Sequence, residues 1–312
     1  LLTSLGYAYS VLGQREQAIQ LYEMALVVVR QIGDRGLEAA LLRSLGYVYR
    51  TMGQIERGIQ LLEEALAIHR EIGYRSGEGL DLSNLGVAYH MLKEFDRAIA
   101  FQKRALTIAR EVNSRRAEGI RLGRLGNIHL SLGQIGRAIR LYEEALVIAR
   151  EIKDRRFEGI WLSKLGTAHH DLGQLERAVG FLEQALDIAR EIGNRRSEGI
   201  RLSSLGSAYY ISGRLRQAVN SFTQALEIAH EINDCRAKSV ELLRLGKALL
   251  AIGNLREARQ HCRTALSLNN RKTKHQAALA LATALLHDDF PEAVAVFADT
   301  VDYCRSMLED AQ

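Results

Sequence analysis

Residues 82–109 read LSNLGVAYHMLKEFDRAIAFQKRALTIA. Leu82, Leu85, Gly86 and Tyr89 fall at the spacing of one helical face, and beyond Lys93 a second set does the same: Ala98, Ile99, Gln102, Ala105, Leu106 and Ala109. The stretch therefore reads as two amphipathic helices joined by a short turn.

The same pattern recurs along the chain. Leu-Gly stands at 5–6, 45–46, 85–86, 125–126, 165–166, 205–206 and 245–246, and Ala-Leu follows twenty residues later each time, from Ala25-Leu26 to Ala265-Leu266. A fixed period of this kind is the signature of stacked repeats. Seven units of 40 residues result, at 1–40, 41–80, 81–120, 121–160, 161–200, 201–240 and 241–280. Residues 281–312, with Leu285-Leu286 and Ala293 but no glycine, read as a degenerate eighth unit or as acidic capping helices.

Punctuation fits helix pairs. Gly13, Gly53, Gly133, Gly173, Gly213 and Gly253 end the first helices, with Lys93 the exception, and the second helices close near Ile32, Ile72, Val112, Ile152, Ile192 and Ile232. Asp34, Ser114, Asp154, Asn194 and Asp234 stand where N-caps belong, with acids such as Glu118 and Glu158 in the turn that follows. A mid-helix glycine costs about 1 kcal/mol relative to alanine. Its recurrence at Gly86 and Gly126 implies a close helix approach there, through Ala98 and Ala105 in one copy and Ala138 and Ala145 in the next, with Gly58 in place of the first alanine in the second copy.

Composition agrees with an all-helical chain. Of 312 residues 47% are apolar and 25% charged, and Pro291 is the single proline. No apolar run approaches 18 residues and the first residues lack a signal-peptide pattern, so the reading expects a cytoplasmic protein without a membrane span. Cys235, Cys262 and Cys304 match no disulfide or metal spacing and are taken as reduced and structural. The chain opens at Leu1, inside a helix and without methionine, so a fragment of a longer protein is expected. The net charge is +5; residues 283–312 hold seven acids against one arginine, which leaves +11 on the array.

The placements Leu82, Leu85-Gly86, Tyr89, Ala98 and Ala105 resemble the tetratricopeptide pattern over nearly the whole chain. Leucine replaces the typical aromatic start, the proline after the second helix is missing, and the period is 40 rather than 34. Longer units of this kind resemble those of Pins-type polarity adaptors, kinesin light chains and the sensor regions of bacterial NB-ARC-like STAND ATPases, the last through the phrase REIGNRRSEG at 190–199. The resemblance implies an all-α, right-handed superhelical solenoid of antiparallel helix pairs with a C-terminal capping segment. It further implies a partner polypeptide bound in the concave groove, on the first-helix face opposite Leu82, Leu85, Gly86 and Tyr89.

Carried over position by position, that face consists of Arg43 with Ser44, Asn84, Arg124, Asn127, Lys164, Thr167, Asp171, Ser204, Ser207, Arg244 and Lys247, with His90, His170 and Tyr210 as secondary candidates. One acid against five bases favours an acidic partner. Trp161, about 90° off the buried centre, is read as packing between units. The acidic end is a possible partner for the basic face, by self-association.

No Walker loop, His-Glu-x-x-His, Cys-x-x-Cys or Gly-x-Ser-x-Gly occurs, so the reading is non-catalytic with no cofactor and no metal. His129 and His169 take the place of Tyr9, Tyr49, Tyr89 and Tyr209 and read as packed rings. Glu111 with Arg115, Glu151 with Arg155 and Glu191 with Arg195 read as junction ion pairs worth a few tenths of a kcal/mol. Two alternatives stand beside the scaffold: the sensor end of a larger STAND-type ATPase, and a basic nucleic-acid-binding surface. The second is disfavoured by alternating acids and by the want of a recurring stacking platform.

Overall fold

A left-handed residue stands at every turn that separates two helices in the copies with clear punctuation. Gly53 has φ 87° and Gly133 71°; Lys93 adopts the same conformation with φ 62°, at a cost glycine avoids. The residue beyond closes the motif, Gln54 N–H donating to the Tyr49 carbonyl at 3.0 Å and Glu94 N–H to that of Tyr89 at 2.9 Å. Between pairs, Asn113 and Asn233 take the left-handed position, and Asp34, Ser114, Asn194 and Asp234 cap the helix that follows by accepting from the backbone N–H three residues on.

The computed structural model describes residues 2–268, 274–285, 292–296 and 298. The chain divides into two compact units, residues 1–154 and 155–312. In the first, α1 (Leu2–Val11) pairs with α2 (Arg15–Ile32), α3 (Arg35–Thr51) with α4 (Ile55–Glu71), α5 (Arg75–Met91) with α6 (Phe95–Glu111) and α7 (Arg115–Ser131) with α8 (Ile135–Glu151). The second holds α9 (Arg155–Asp171) with α10 (Leu175–Glu191), α11 (Arg195–Ile211) with α12 (Leu215–Glu231), and α13 (Cys235–Ala251) with α14 (Leu255–Ser267). There α15 (Lys274–Leu285) covers α14 and α13, and its Leu285, with Ala293, is buried in the core that runs back to Val179. Helix pairs thus begin at 35 and 75, six residues before the 41–80 and 81–120 counting frames. Leu286 and Cys304, and with them most of the acidic end, lie outside the described residues. No described helix is long and apolar enough to cross a membrane.

The glycine column makes room for a side chain as well as for a backbone. A Cβ at Gly126 would lie 2.5 Å from Tyr142 Cε1, at Gly86 2.7 Å from Gln102 Nε2, and at Gly206 2.5 Å from Phe222 Cε1. The expected alanines are fully buried, Ala98 and Ala105 among them, but the groups that fill the glycine notch are Tyr22, Leu62, Gln102, Tyr142, Leu182, Phe222 and Cys262. Burial pushes the Cys262 thiol up to about 11. Cys262 and Cys235 are both free, and Cys235 is exposed.

The junction ion pairs follow a different register from the expected i, i+4. Arg75, at the start of α5, reaches Glu111 at the end of α6, and Arg115 reaches Glu151 in the same way, 36 residues apart. Glu111 therefore does not pair with Arg115, nor Glu191 with Arg195: Arg155 takes Glu191 and Arg195 takes Glu231, at 2.5 Å for the latter. Each of these arginines also holds the buried glutamate three residues on, Arg35 to Glu38 at 2.5 Å and Arg115 to Glu118 at 2.7 Å. The arginine ending the previous pair holds the same carboxylate, Arg30 to Glu38 and Arg110 to Glu118, both at 2.8 Å. A zig-zag of alternating charge results in the first unit, made of three chains, Arg30–Glu38–Arg35–Glu71, Arg70–Glu78–Arg75–Glu111 and Arg110–Glu118–Arg115–Glu151. The first turn of each such helix lies beside the end of the previous pair's second helix, so its glutamate binds arginines from both.

Candidate functional site

First helices touch one another in sequence, α3 with α5 and α5 with α7 in the first unit, α9 with α11 in the second. A middle helix so flanked is buried on its partner side and on both seams, which leaves a narrow open stripe. On α5 this stripe consists of Asn84, Val87 and Met91, while Asp81 and Ser83 are buried beside Leu82 and Leu85.

The expected partner-facing residues lie on or beside these stripes, but many are half-buried and committed. In the first unit, Arg43 stands 3.5 Å from Asp81 Oδ1, and Asp81 in turn holds His69 Nδ1 at 2.5 Å; both His69 and Asp81 are buried. Burial pushes the Asp81 carboxyl up against the pull of His69 and Arg43. Ser44 donates to its own helix at Ala40. Arg124 donates to the Ser83 carbonyl at 3.2 Å and to its hydroxyl, and Ser83 is locked to Gln102 by two hydrogen bonds of 2.9 and 2.7 Å. Asn127 Oδ1 accepts from the Tyr142 hydroxyl at 2.8 Å, which leaves its amide N–H groups for a ligand. His90 Nε2 meets Ser131 Oγ at 2.8 Å, and burial pulls its pKa down.

In the second unit, Thr167, Ser204 and Ser207 donate to carbonyls four residues back, so their hydroxyls retain only acceptor capacity. Lys164 is half-buried, its pKa lowered by burial and by Arg201. Arg244 is held by Ser203 and by Glu241 at 3.5 Å, and burial pushes the Glu241 carboxyl up. Lys247 reaches Gln276 at 3.1 Å, Asp171 accepts from His170 at 3.3 Å, and Tyr210 is exposed.

The count of one acid against five bases is thereby corrected. Asp81 and Glu241, one helical turn before the expected positions, neutralise Arg43 and Arg244. The other three expected bases, Arg124, Lys164 and Lys247, pair with no carboxylate among the described residues, and neither do Arg50 and Arg121 in the first unit or Arg201 in the second. Sequence reasoning missed Arg50, Arg121, Arg201, His69, Asp81 and Glu241. Four of them, Asp81, Arg121, Arg201 and Glu241, share the 40-residue column of Trp161, which was read from that residue alone as packing; Trp161 is indeed buried, stacked on Phe157.

His169 is buried and stacks on Phe181 at 5.3 Å as Tyr89 stacks on Phe101 at 5.2 Å, so imidazole takes the ring's place there, and the half-exposed His129 bonds Gln134 at 2.8 Å. Among the described residues no group of three or more His, Cys, Asp or Glu stands together as metal ligands.

Tetratricopeptide-repeat family models match residues 1–71, 37–111, 80–151, 117–191, 157–231 and 242–272, and the chain belongs to the tetratricopeptide repeat family. No curated protein sequence matches it significantly. Among solved structures it is similar to a Signal Transduction ATPase with Numerous Domains (STAND) protein with a tetratricopeptide repeat sensor from Pyrococcus horikoshii, at 19% identity and a TM-score of 0.80; the match covers 99% of this chain but 46% of that one. Aspartyl phosphate phosphatase F from Bacillus subtilis is similar at 16% identity and a TM-score of 0.66, over 88% of this chain and 70% of that one. The Q17M form of a putative kinesin light chain from Podosopora anserina with nearly identical TPR-like repeats is similar at 19% identity and a TM-score of 0.52, over 62% of this chain and 95% of that one. At these identities the likeness is one of fold.

Proposed function

We propose that the chain is a non-catalytic protein-interaction array whose first-helix face takes an acidic segment of a partner polypeptide. The observation that carries the reading is the set of half-buried cations on the first helices, Arg50, Arg124, Lys164 and Arg201, that pair with no carboxylate among the described residues. Asn127 adds amide donors suited to an exposed backbone carbonyl of the partner. Family membership supports a scaffold.

The test is fluorescence anisotropy with a labelled Glu-rich peptide and its Gln counterpart. The Glu peptide binds, more weakly as salt rises, and Lys164→Gln or Arg124→Gln costs about tenfold, on the order of 1.4 kcal/mol. Equal binding of the Gln peptide sinks the acidic-partner reading.

A second reading rests on the match that covers nearly the whole chain. In it the array is the sensor of a larger STAND-type ATPase. Finding a P-loop encoded upstream in the same reading frame favours it; an unrelated upstream frame removes it.

A further inference from the structure

We infer that the seam between α5 and α7 is a binding site for a dianionic phosphoryl group, carried as a phosphorylated side chain by the polypeptide of the reading above, on which this inference rests. Two guanidiniums of α7, Arg121 and Arg124, lie along α5 in this seam, and a third, Arg50 of α3, approaches the end of α5 from its other neighbour. Arg121 lies against the Gly79 carbonyl at 3.5 Å, Arg124 against the Ser83 carbonyl one turn on, and Arg50 against Met91 Sδ at 3.3 Å. Arg121 is 4% exposed, and its Nε, like that of Arg50, is buried with no hydrogen-bond partner among the described residues. Arginine carries five N–H donors in a fixed fork, and most of them here are unused.

Leaving a buried charge unpaired is costly, and proteins place such groups where a ligand completes them. Burial, and the neighbouring guanidiniums, lower Arg121 and Arg124 to about 10, so the site holds positive charge at a free-energy disadvantage until an anion enters. The charge decides the class of ligand. One carboxylate leaves one of the two α7 cations unbalanced, whereas a phosphoryl group brings about two negative charges and three acceptor oxygens, which match the forks of Arg121 and Arg124. The second unit carries a reduced version in the same columns: Arg201 Nε is likewise buried without a partner, and Lys164 stands near enough to be affected by it.

The experiment follows arginine Nε–H resonances at pH 7.5 and constant ionic strength while inorganic phosphate, capped phosphoserine or acetate is added. Phosphate and capped phosphoserine shift the Arg121 and Arg124 signals with affinities at least tenfold above acetate. Arg121→Gln weakens both at least tenfold, while Arg104→Gln, on the exposed side of α6, changes neither. Capped phosphoserine binding at least as tightly as free phosphate identifies the side-chain source; free phosphate alone binding overturns the phosphorylated-partner assignment. Equal binding of acetate, or unchanged binding in Arg121→Gln, overturns the site. A thermal melt separates binding from structure: Arg121→Met raises the Tm of the phosphate-free protein if the charge is held for a ligand, and lowers it if the arginine is a structural tie, which also overturns the proposal. Should phosphate fail while the Glu peptide still binds, the site falls and the groove reading stands; should both fail, both fall.

Discussion

Substituting alanine at Gly126 and at Gly180 changes the same atom in two interior helix positions and has opposite outcomes. Alanine gains about 1 kcal/mol of helix propensity at either place. At Gly180, in α10, an added Cβ meets nothing within 4 Å, so that gain is kept and the variant is stabilised by about 1 kcal/mol. At Gly126, in α7, the Cβ would lie 2.5, 2.8 and 3.0 Å from Cε1, Cδ1 and Cζ of Tyr142. That ring is fully buried and its hydroxyl is tied to Asn127, so it cannot swing aside without losing the bond. Overpacking of this kind costs about 1–3 kcal/mol and outweighs the propensity gain, giving a net loss of up to about 2 kcal/mol. Urea unfolding followed by far-ultraviolet circular dichroism reads both: the midpoint rises for Gly180→Ala and falls for Gly126→Ala. In a Tyr142→Ala background Gly126→Ala becomes neutral or favourable, and the double-mutant cycle shows the coupling. If Gly126→Ala alone raises the midpoint, the idea that the glycine column exists to seat the facing side chain is refuted.

Other perturbations follow from the same geometry. Lys93→Gly, which restores the residue found at the six equivalent turns, stabilises by about 1 kcal/mol; an unchanged urea midpoint contradicts the strain assigned to its φ of 62°. His69→Ala strips buried Asp81 of its nearest partner and costs about 3 kcal/mol, and adding Asp81→Leu, the residue at Leu41, recovers most of it; thermal melts that show no recovery argue against an uncompensated charge as the cause. For Glu118, burial alone would raise the carboxyl, but the guanidiniums of Arg110 and Arg115 outweigh it and hold the pKa below the ordinary range. A depressed acid stabilises the fold above its unfolded pKa, about 4.3, and that contribution disappears as pH falls through the folded value. Tm therefore declines below about pH 4, less steeply in Glu118→Gln, and identical slopes would exclude this carboxylate.

Much of this was legible in the sequence because periodicity reports burial. Leu-Gly every 40 residues, the left-handed turn residues and the caps at Asp34, Ser114, Asn194 and Asp234 are local signals that the fold obeys. The fate of the candidate site was less legible because it depends on neighbours 36 to 42 residues away. Helical angles place Arg43, Arg124 and Arg244 on one face, yet whether each is free is decided by Asp81, Ser83 and Ser203 on adjacent helices. Arg121 and Arg201 share a column with Trp161, and reading that column as a set, two arginines among an acid, an indole and another acid, was the one available signal that it carries charge into a seam. The junction pairs were misassigned for a related reason: Glu111 and Arg115 are close in sequence, but a hairpin brings Arg75 back to the same helix end.

The zig-zag of arginine and glutamate has a mechanical meaning. Its links alternate between closing one hairpin and tying it to the next, so in the first unit every pair from α3 to α8 is sewn at one edge by short-range charge contacts. At physiological ionic strength the screening length is about 8 Å, longer than a single link but shorter than the span of two hairpins. Each stitch is therefore felt mainly by its immediate neighbours, and such a seam bends locally, softening as salt rises. A ligand that draws α5 and α7 together works against the few stitches beside it and leaves the rest of the tape slack.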